Sequence, residues 1–309
     1  MPKARWVKWR SGGGPRVRGK NGFNPPKPWG PWTKLLGVVA RCEGAHDTVV
    51  MYDETGVTWG FMQWTFKSGR LQRLLESFKS IEHINFEEDT RFNLFDSVCC
   101  GANGVQRFER FGFRITGGKF VDLSTGKALN MNKRADQKRC ANICMGRVRY
   151  PKNVKQQRLH ALGLANLFAG LGSSVDVAEA QTHFAKQEFR RQLRYNRKPL
   201  KGNSIEWLLG GDRDNPMDFL WGTPLPALFF TNWQNHPAAA YRLFMKVRKA
   251  VDPSDSHAYF QHAWKAVNRS KFGNWGWGKP SNKSPRVLRI RRAIVEFYGL
   301  SNSQLPLYK

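Results

Sequence analysis

Apolar residues recur at helical spacing from residue 32 onward. Offsets of 3, 4 and 7 from Trp32 lie on one face of a helix, which would pack against a core. The pattern therefore predicts a helix over residues 32–43 that ends at Gly44. The apolar stripe consists of Trp32, Leu35, Leu36 and Val39. Glu43, at an offset of 11, falls on the same stripe, so its carboxyl group is predicted to lie on the apolar side of the helix.

Two later segments are rich in β-branched and aromatic residues and carry turn residues. Residues 48–65 contain the sequence Asp53-Glu54-Thr55-Gly56, which predicts a β-hairpin or small sheet directly after the first helix. Residues 108–129 contain Gly117-Gly118 and a second turn at 124–126, which predict another β patch. An amphipathic helix is predicted between them, over 68–81.

The rest of the chain follows helical patterns. Helices are predicted over residues 133–146, 154–171, 175–195, 217–230, 236–251, 256–268 and 285–298. Residues 1–30 are basic and rich in Gly and Pro, so we expect a flexible N-terminal arm. Without a convincing linker after residue 30, the sequence predicts one domain over 31–309. Its class is α+β and mostly α, with a small β-hairpin or sheet after the first helix and a helical C-terminal extension.

Charge indicates an anionic partner. The chain has 51 Lys+Arg against 23 Asp+Glu, a formal net charge of +28. Nucleic acid, acidic membranes and anionic cell-wall polymers fit this charge, whereas a polycationic substrate would be repelled. Trp6 and Trp9 in the basic arm suggest insertion into a membrane interface, and a solvated arm is the equal alternative.

No membrane span is expected, because no long apolar run occurs. The first residues also lack the apolar stretch of a secretory signal. We therefore expect a protein that acts on a wall to stay in the host cytoplasm or a virion until phage release. The five cysteines form no regular spacing. Buried free thiols are favoured over a zinc site at Cys99, Cys100, Cys140 and Cys144, and no motif indicates a cofactor or metal.

Two carboxylates in contrasting surroundings suggest glycosidase chemistry. Glu43 is the first acidic residue of the chain, and desolvation on the apolar stripe would favour a protonated carboxyl group, as a general acid requires. Asp53 lies on a predicted turn, where a carboxylate stays hydrated and ionised. The structural alternatives are a helix-end Glu43 paired with Arg41 or a distant arginine, and an Asp53 that only forms the turn.

The order of these residues resembles the active-site segment of goose-type lysozymes and soluble lytic transglycosylases. Glu43-Gly44 is followed by a turn with Asp53 and Gly56 and then by the sequence Gly60-Phe61-Met62-Gln63. The motif is short and covers a small part of the chain. The resemblance implies a lysozyme-like domain, with Glu43 as the catalytic acid and Asp53 as the turn carboxylate. It also implies that Gln63 lines the sugar cleft, with Met62 and Phe61 beside it.

The implied substrate is peptidoglycan, cut at the β-1,4 bond between N-acetylmuramic acid and N-acetylglucosamine. Two departures leave the reaction open. Gly44 replaces the Ser that commonly follows the Glu, and Trp64-Thr65 stand where goose-type enzymes carry a further Asp. Hydrolysis by a lysozyme and release of 1,6-anhydro ends by a lytic transglycosylase therefore both stay possible.

Other residues near the motif are candidates for substrate binding. Trp59 and Trp64 flank it as possible cleft walls, Glu54 shares its turn, and Trp275 and Trp277 lie in a glycine-bounded segment that could cap a sugar. The alternative is that most tryptophans belong to the core. Basic and aromatic residues together also suit single-stranded nucleic acid, which is the non-enzymatic alternative, although no RNA- or DNA-binding motif supports it. An arginine run on the last predicted helix could contact phosphate or lipid, or simply be solvated: Arg286, Arg289, Arg291 and Arg292.

Overall fold

The computed structural model describes residues 14–17, 30–52, 54–85, 90–101, 103–193, 204–210, 223–234, 236–270 and 285–307. The chain divides into two compact units. Unit 1 comprises residues 1–26 and 44–184, and unit 2 comprises residues 27–43 and 185–309. The sequence predicted one domain over 31–309, and in the structure the first helix groups with residues late in the chain rather than with the sheet that follows it.

The structure is mostly helical with small antiparallel sheets, so the predicted class of α+β, mostly α, is confirmed. The helices are α1 (Pro31–Glu43), α2 (Arg70–Ser77), α3 (Leu94–Cys99), α4 (Arg134–Cys144), α5 (Val154–Gly172), α6 (Val175–Leu193), α7 (Ile205–Leu208), α8 (Leu225–Trp233), α9 (Pro237–Ala250), α10 (Ser256–Arg269) and α11 (Pro285–Tyr298), with short 3₁₀ turns at Phe78–Ser80 and Glu109–Phe111. The strands are β1 (Arg16–Val17), β2 (Val49–Tyr52), β3 (Gly56–Trp59), β4 (Trp64–Thr65), β5 (Glu82–Asn85), β6 (Thr90–Asn93), β7 (Phe113–Thr116), β8 (Lys119–Asp122) and β9 (Lys127–Ala128).

Unit 1 contains the predicted sheet after α1. Its strand order is β1-β2-β3-β4, with Val49 opposite Trp59 in the β2–β3 hairpin and Trp59 opposite Trp64 in the next pair. The second β patch is also present as the sheet β7-β8-β9. Helices α4 and α5 pack on the first sheet, α4 against β3 and α5 against β1 and β2.

Part of the basic arm belongs to this sheet. Strand β1 pairs with β2 through Arg16 and Val17, and the amide of Gly14 donates to the carbonyl of Met51 at 3.0 Å. The expectation of a flexible arm is therefore wrong for residues 14–17, because their backbone groups complete the hydrogen bonding of an edge strand. Residues 1–13 and 18–29, including Trp6 and Trp9, lie outside the described residues.

The core of unit 1 is aromatic. Phe113 and Phe120 stack at 4.3 Å between ring centroids across the β7–β8 pair, and Phe108 stacks on both Phe113 and Phe168. Phe66 meets three of these rings edge-on. All five side chains are fully buried, and each contributes about 1.5–3 kcal/mol of hydrophobic stabilisation. This cluster fixes α5 and the β7–β8 hairpin around the strands that follow α1.

Unit 2 is a helical assembly built on α1. The predicted apolar stripe is buried where α1 packs on α8 and α11, and Leu35, Leu36 and Val39 have no exposed surface. Gly37 lies against the ring of Phe297 on α11, so closely that a β-carbon at this position would overlap the ring. The side chains of α1 are therefore covered by a helix that begins 242 residues further along the chain than Glu43 (285 − 43).

Four of the five cysteines are buried free thiols, as predicted: Cys42, Cys99, Cys140 and Cys144. No group of three or more potential metal ligands occurs within the part of the chain that the structure describes. In the same residues, no single helix has the length and apolar composition to cross a membrane. Helices α5 and α6 meet both criteria only as a pair, and that pair is bent by 85°.

Candidate functional site

Glu43 is the last residue of α1, and its carboxylate is bound by an arginine from α11. Atoms Nη1 and Nη2 of Arg286 each donate to Oε1 of Glu43 at 3.1 Å. Nη2 also donates to the backbone carbonyl of Thr231 at 2.6 Å, which anchors the guanidinium on α8. The side chains of Arg286 and Glu43 are 5% and 14% exposed, so the ion pair is largely removed from water.

This contact resolves one alternative that the sequence left open. Arg41 does not bind Glu43 but pairs with Glu296 at 3.0 Å on the surface, whereas the distant Arg286 does bind Glu43. The predicted burial of the Glu43 carboxyl is present. The ion pair with Arg286 adds a cationic partner from α11 that the apolar stripe alone did not indicate.

The neighbouring residues continue this charged arrangement. Arg289, one helical turn after Arg286, donates to the carbonyl of Cys42 at 3.3 Å and so binds the carbonyl end of α1. Burial, reinforced by the negative charge of Glu43, raises the pKa of the Cys42 thiol to about 12. Cys42 is therefore a neutral packing residue beside the carboxylate. Two of the four arginines noted in the α11 sequence thus bind the last turn of α1.

The Gly60–Gln63 turn lies in unit 1, between β3 and β4. Gln63 has φ 52°, the only positive φ of a non-glycine residue in the described part of the chain. Its backbone amide and its Nε2 donate to the carbonyl of Gly60 at 3.1 and 2.8 Å. A β-carbon on Gly60, which has φ 78°, would overlap Gln181 and Trp64. Left-handed backbone at a non-glycine residue is strained, and such strain is concentrated at functional sites.

The aromatic residues of the motif are core residues. Phe61, Trp59 and Trp64 have no exposed surface, and Met62 is 2% exposed. The ring of Trp59 packs against Phe168, and the ring of Trp64 lies edge-on to Phe61. The prediction that Trp59 and Trp64 form cleft walls is therefore wrong, because no face of either ring is available to a sugar. Phe61 and Met62 likewise support the turn instead of contacting a ligand.

The turn carboxylates are only partly described. Glu54 is 84% exposed and forms a surface ion pair with Lys67 at 3.4 Å, as a hydrated turn carboxylate should. Asp53, Trp275 and Trp277 lie outside the described residues. Of the predicted site residues, Glu43 belongs to unit 2, whereas Glu54 and Gln63 belong to unit 1.

His46 is a residue of this region that the sequence reasoning missed. It lies three residues after Glu43, 3% exposed, with its ring edge-on to Phe61 at 4.9 Å and its Nε2 3.3 Å from Oγ1 of Thr182. Gln181 donates to its backbone carbonyl at 3.1 Å. Desolvation lowers the pKa of His46 to about 4, so the imidazole is neutral and structural at pH 7. Its nearness in sequence to Glu43 was the one signal that could have identified it.

No protein-family model, no curated protein and no solved structure matches this chain.

Proposed function

We propose that this protein degrades peptidoglycan by cutting the β-1,4 bond between N-acetylmuramic acid and N-acetylglucosamine, with Glu43 as the general acid. The observation that carries the proposal is the position of the Glu43 carboxylate, largely buried at the end of α1 and held by Arg286. The strained Gln63 turn, at the spacing found in goose-type lysozymes and lytic transglycosylases, is the supporting feature.

In the proposed step, Glu43 gives its proton to the glycosidic oxygen as the bond from that oxygen to the anomeric carbon breaks. The sugar left behind develops oxocarbenium character, and Glu43 becomes negatively charged. Arg286 already lies against Oε1, so it stabilises the charge that forms on Glu43 without reorganisation.

The second half of the reaction has two proposed forms. In hydrolysis, a water molecule positioned by Asp53 adds to the anomeric carbon and gives a proton to the Glu43 carboxylate, which restores the acid. In transglycosylation, the 6-hydroxyl of the muramic acid attacks the same carbon, gives its proton to the Glu43 carboxylate and leaves a 1,6-anhydro end. Gln63 is assigned to bind the sugar in both forms, since its turn fixes the direction of the side chain.

The net charge of +28 is proposed to concentrate the protein on an anionic bacterial wall. Such attraction is screened by salt, so wall binding should weaken as ionic strength rises. The basic residues of the N-terminal arm are proposed to contribute to this attraction to the cell envelope.

Digestion of purified peptidoglycan by wild type and Glu43→Gln tests the proposal. Glu296→Gln is the matched control, because it makes the same chemical change in the other Glu–Arg pair of α1 and α11. We expect turbidity to fall with wild type and the control and to persist with Glu43→Gln. Mass spectrometry of the released muropeptides then separates hydrolysis from transglycosylation by the mass of the anhydro ends. If wild type leaves the wall intact, or if Glu43→Gln digests it equally well, the ion pair is structural only.

A further inference from the structure

Unit 1 contains a pocket that is not part of the proposed catalytic machinery. It has a volume of about 490 Å³, within the range of small-molecule sites. It is formed by the start of α2, the β7–β8 turn and the segment that leads from β9 to α4. Its lining residues include Gln72, Arg73, Lys119, Leu129, Asn130 and Met131.

The charge of the pocket is positive. Arg73 and Lys119 both line it, and both side chains are exposed. Neither forms an ion pair with any residue that the structure describes, and no carboxylate is among the described lining residues. Two cations at one opening favour an anionic ligand, and the neighbouring carboxylates of Glu76 and Asp136 already bind Lys79 and the amide of Asn130.

A buried amide side chain is among the lining residues of the pocket. Gln72 is 1% exposed, and its Nε2 donates to the carbonyl of Phe66 at 3.0 Å. That bond fixes the orientation of the amide, and Oε1 is left buried with no hydrogen-bond partner among the described groups. A buried acceptor without a partner is costly, so a ligand hydroxyl or N–H that reached this oxygen would be stabilised there.

One wall of the pocket is a loop that is already rigid. The side chain of Asn130 accepts from the amide of Asn132 at 3.0 Å, and Asp136 accepts from the amide of Asn130 at 2.8 Å. Gln137 donates to the carbonyl of Met131 at 2.7 Å. Because the loop is ordered by its own hydrogen bonds, a ligand would bind there with little further loss of conformational entropy.

The wall is also partly apolar. Leu129 and Met131 are half-buried, and the Gly117-Gly118 turn presents backbone without side chains. A bare inorganic anion would use the cations alone, whereas a sugar ring has an apolar face as well as hydroxyl donors. We infer that this pocket binds an acidic sugar, with its carboxylate at Arg73 and Lys119 and a hydroxyl or amide hydrogen at Gln72. The inference does not depend on Glu43 or on catalysis.

Calorimetric titration of the full chain with three probes tests this inference. N-acetylmuramic acid carries the carboxylate, N-acetylglucosamine is its neutral counterpart, and inorganic phosphate supplies an anion without a sugar. We expect saturable binding of N-acetylmuramic acid. The affinities for N-acetylglucosamine and phosphate should be lower by a factor of about ten or more. The double variant Arg73→Gln/Lys119→Gln should lower the affinity for N-acetylmuramic acid by about tenfold or more.

The control variant is Lys127→Gln/Lys138→Gln, which removes two exposed cations of unit 1 that do not line the pocket. It should bind N-acetylmuramic acid like wild type. Equal weakening by both double variants would overturn the inference, because it would show a general charge effect. Absence of binding, or equal binding of the neutral sugar or of phosphate, would also overturn it. Digestion of peptidoglycan by the same proteins is a separate readout, so loss of sugar binding with intact digestion would leave the role of Glu43 standing.

Discussion

Substitution of Arg286 by Met should destabilise unit 2 far more than the same substitution at Arg41. Arg286 donates twice to Glu43 and once to the carbonyl of Thr231, and only 5% of its side chain is exposed. Arg286→Met removes this guanidinium from a Glu43 side chain that is only 14% exposed. Arg41 forms one contact with Glu296 at a similar distance, but the two side chains are 58% and 46% exposed.

The magnitude follows from burial. Two unit charges about 4 Å apart attract by about 4 kcal/mol at the effective dielectric constant of about 20 that suits partly buried sites. Removal of one partner from a buried ion pair costs about 3–5 kcal/mol, because the other charge stays desolvated. Since Glu43 retains some contact with solvent, we expect about 3 kcal/mol for Arg286→Met, whereas the surface pair should contribute under about 1 kcal/mol.

Urea unfolding followed by fluorescence and circular dichroism measures both variants. The transition midpoint should fall clearly for Arg286→Met and stay near that of wild type for Arg41→Met. The double variant Glu43→Gln/Arg286→Met should lose less stability than the sum of its two single variants, since Glu43→Gln removes the carboxylate charge that Arg286→Met leaves without the guanidinium. Equal midpoints for Arg286→Met and Arg41→Met would refute the claim that burial makes the Glu43 contact strong.

Three further results are expected. The free energy of unfolding should fall by up to about 3 kcal/mol from pH 6.5 to pH 4, because unfolded His46 binds a proton with its ordinary pKa whereas the folded pKa is about 4. His46→Gln should reduce this slope, and an unchanged slope would contradict the assignment. Gln63→Gly should change the free energy of unfolding by no more than about 1 kcal/mol, because relief of the left-handed strain offsets the lost bond to Gly60. The same variant should digest peptidoglycan much more slowly, and unimpaired digestion would remove Gln63 from the site. Gly37→Ala should destabilise unit 2 by about 1–2 kcal/mol in urea unfolding, because its methyl group overlaps the ring of Phe297. A more stable variant would show that the ring moves aside.

Local pattern was sufficient to predict most of the elements. The stripe from Trp32 to Val39 predicted α1 within one residue of its observed start, and the predictions for α5, α9 and α11 agree equally well. The hairpin over β5 and β6 was missed, since the charged residues at 87–89 do not follow a strand pattern. The short helices α3 and α7 were also missed, because four to six residues carry too little periodicity.

The long-range features could not be predicted. Nothing in the local sequence of Glu43 shows that Arg286 will reach it, although Arg286 was visible as part of a basic helical run. The roles of Trp59 and Trp64 were assigned from their place beside the motif, and burial by Phe168 and Phe184 depends on helices more than 100 residues away. The grouping of α1 with late residues could not be predicted for the same reason, because α1 is separated in sequence from the helices that cover it.

The most direct test of the central claim is the rate of peptidoglycan solubilisation by purified wild type, Glu43→Gln and Glu296→Gln at equal concentrations and mildly acidic pH. Circular dichroism first establishes that all three proteins are folded. The account predicts that wild type and Glu296→Gln release soluble muropeptides at similar rates, while Glu43→Gln is slower by about a hundredfold or more, as expected for loss of a general acid. Release by Glu43→Gln at the wild-type rate would contradict it and would leave Glu43 as the buried partner of Arg286 alone.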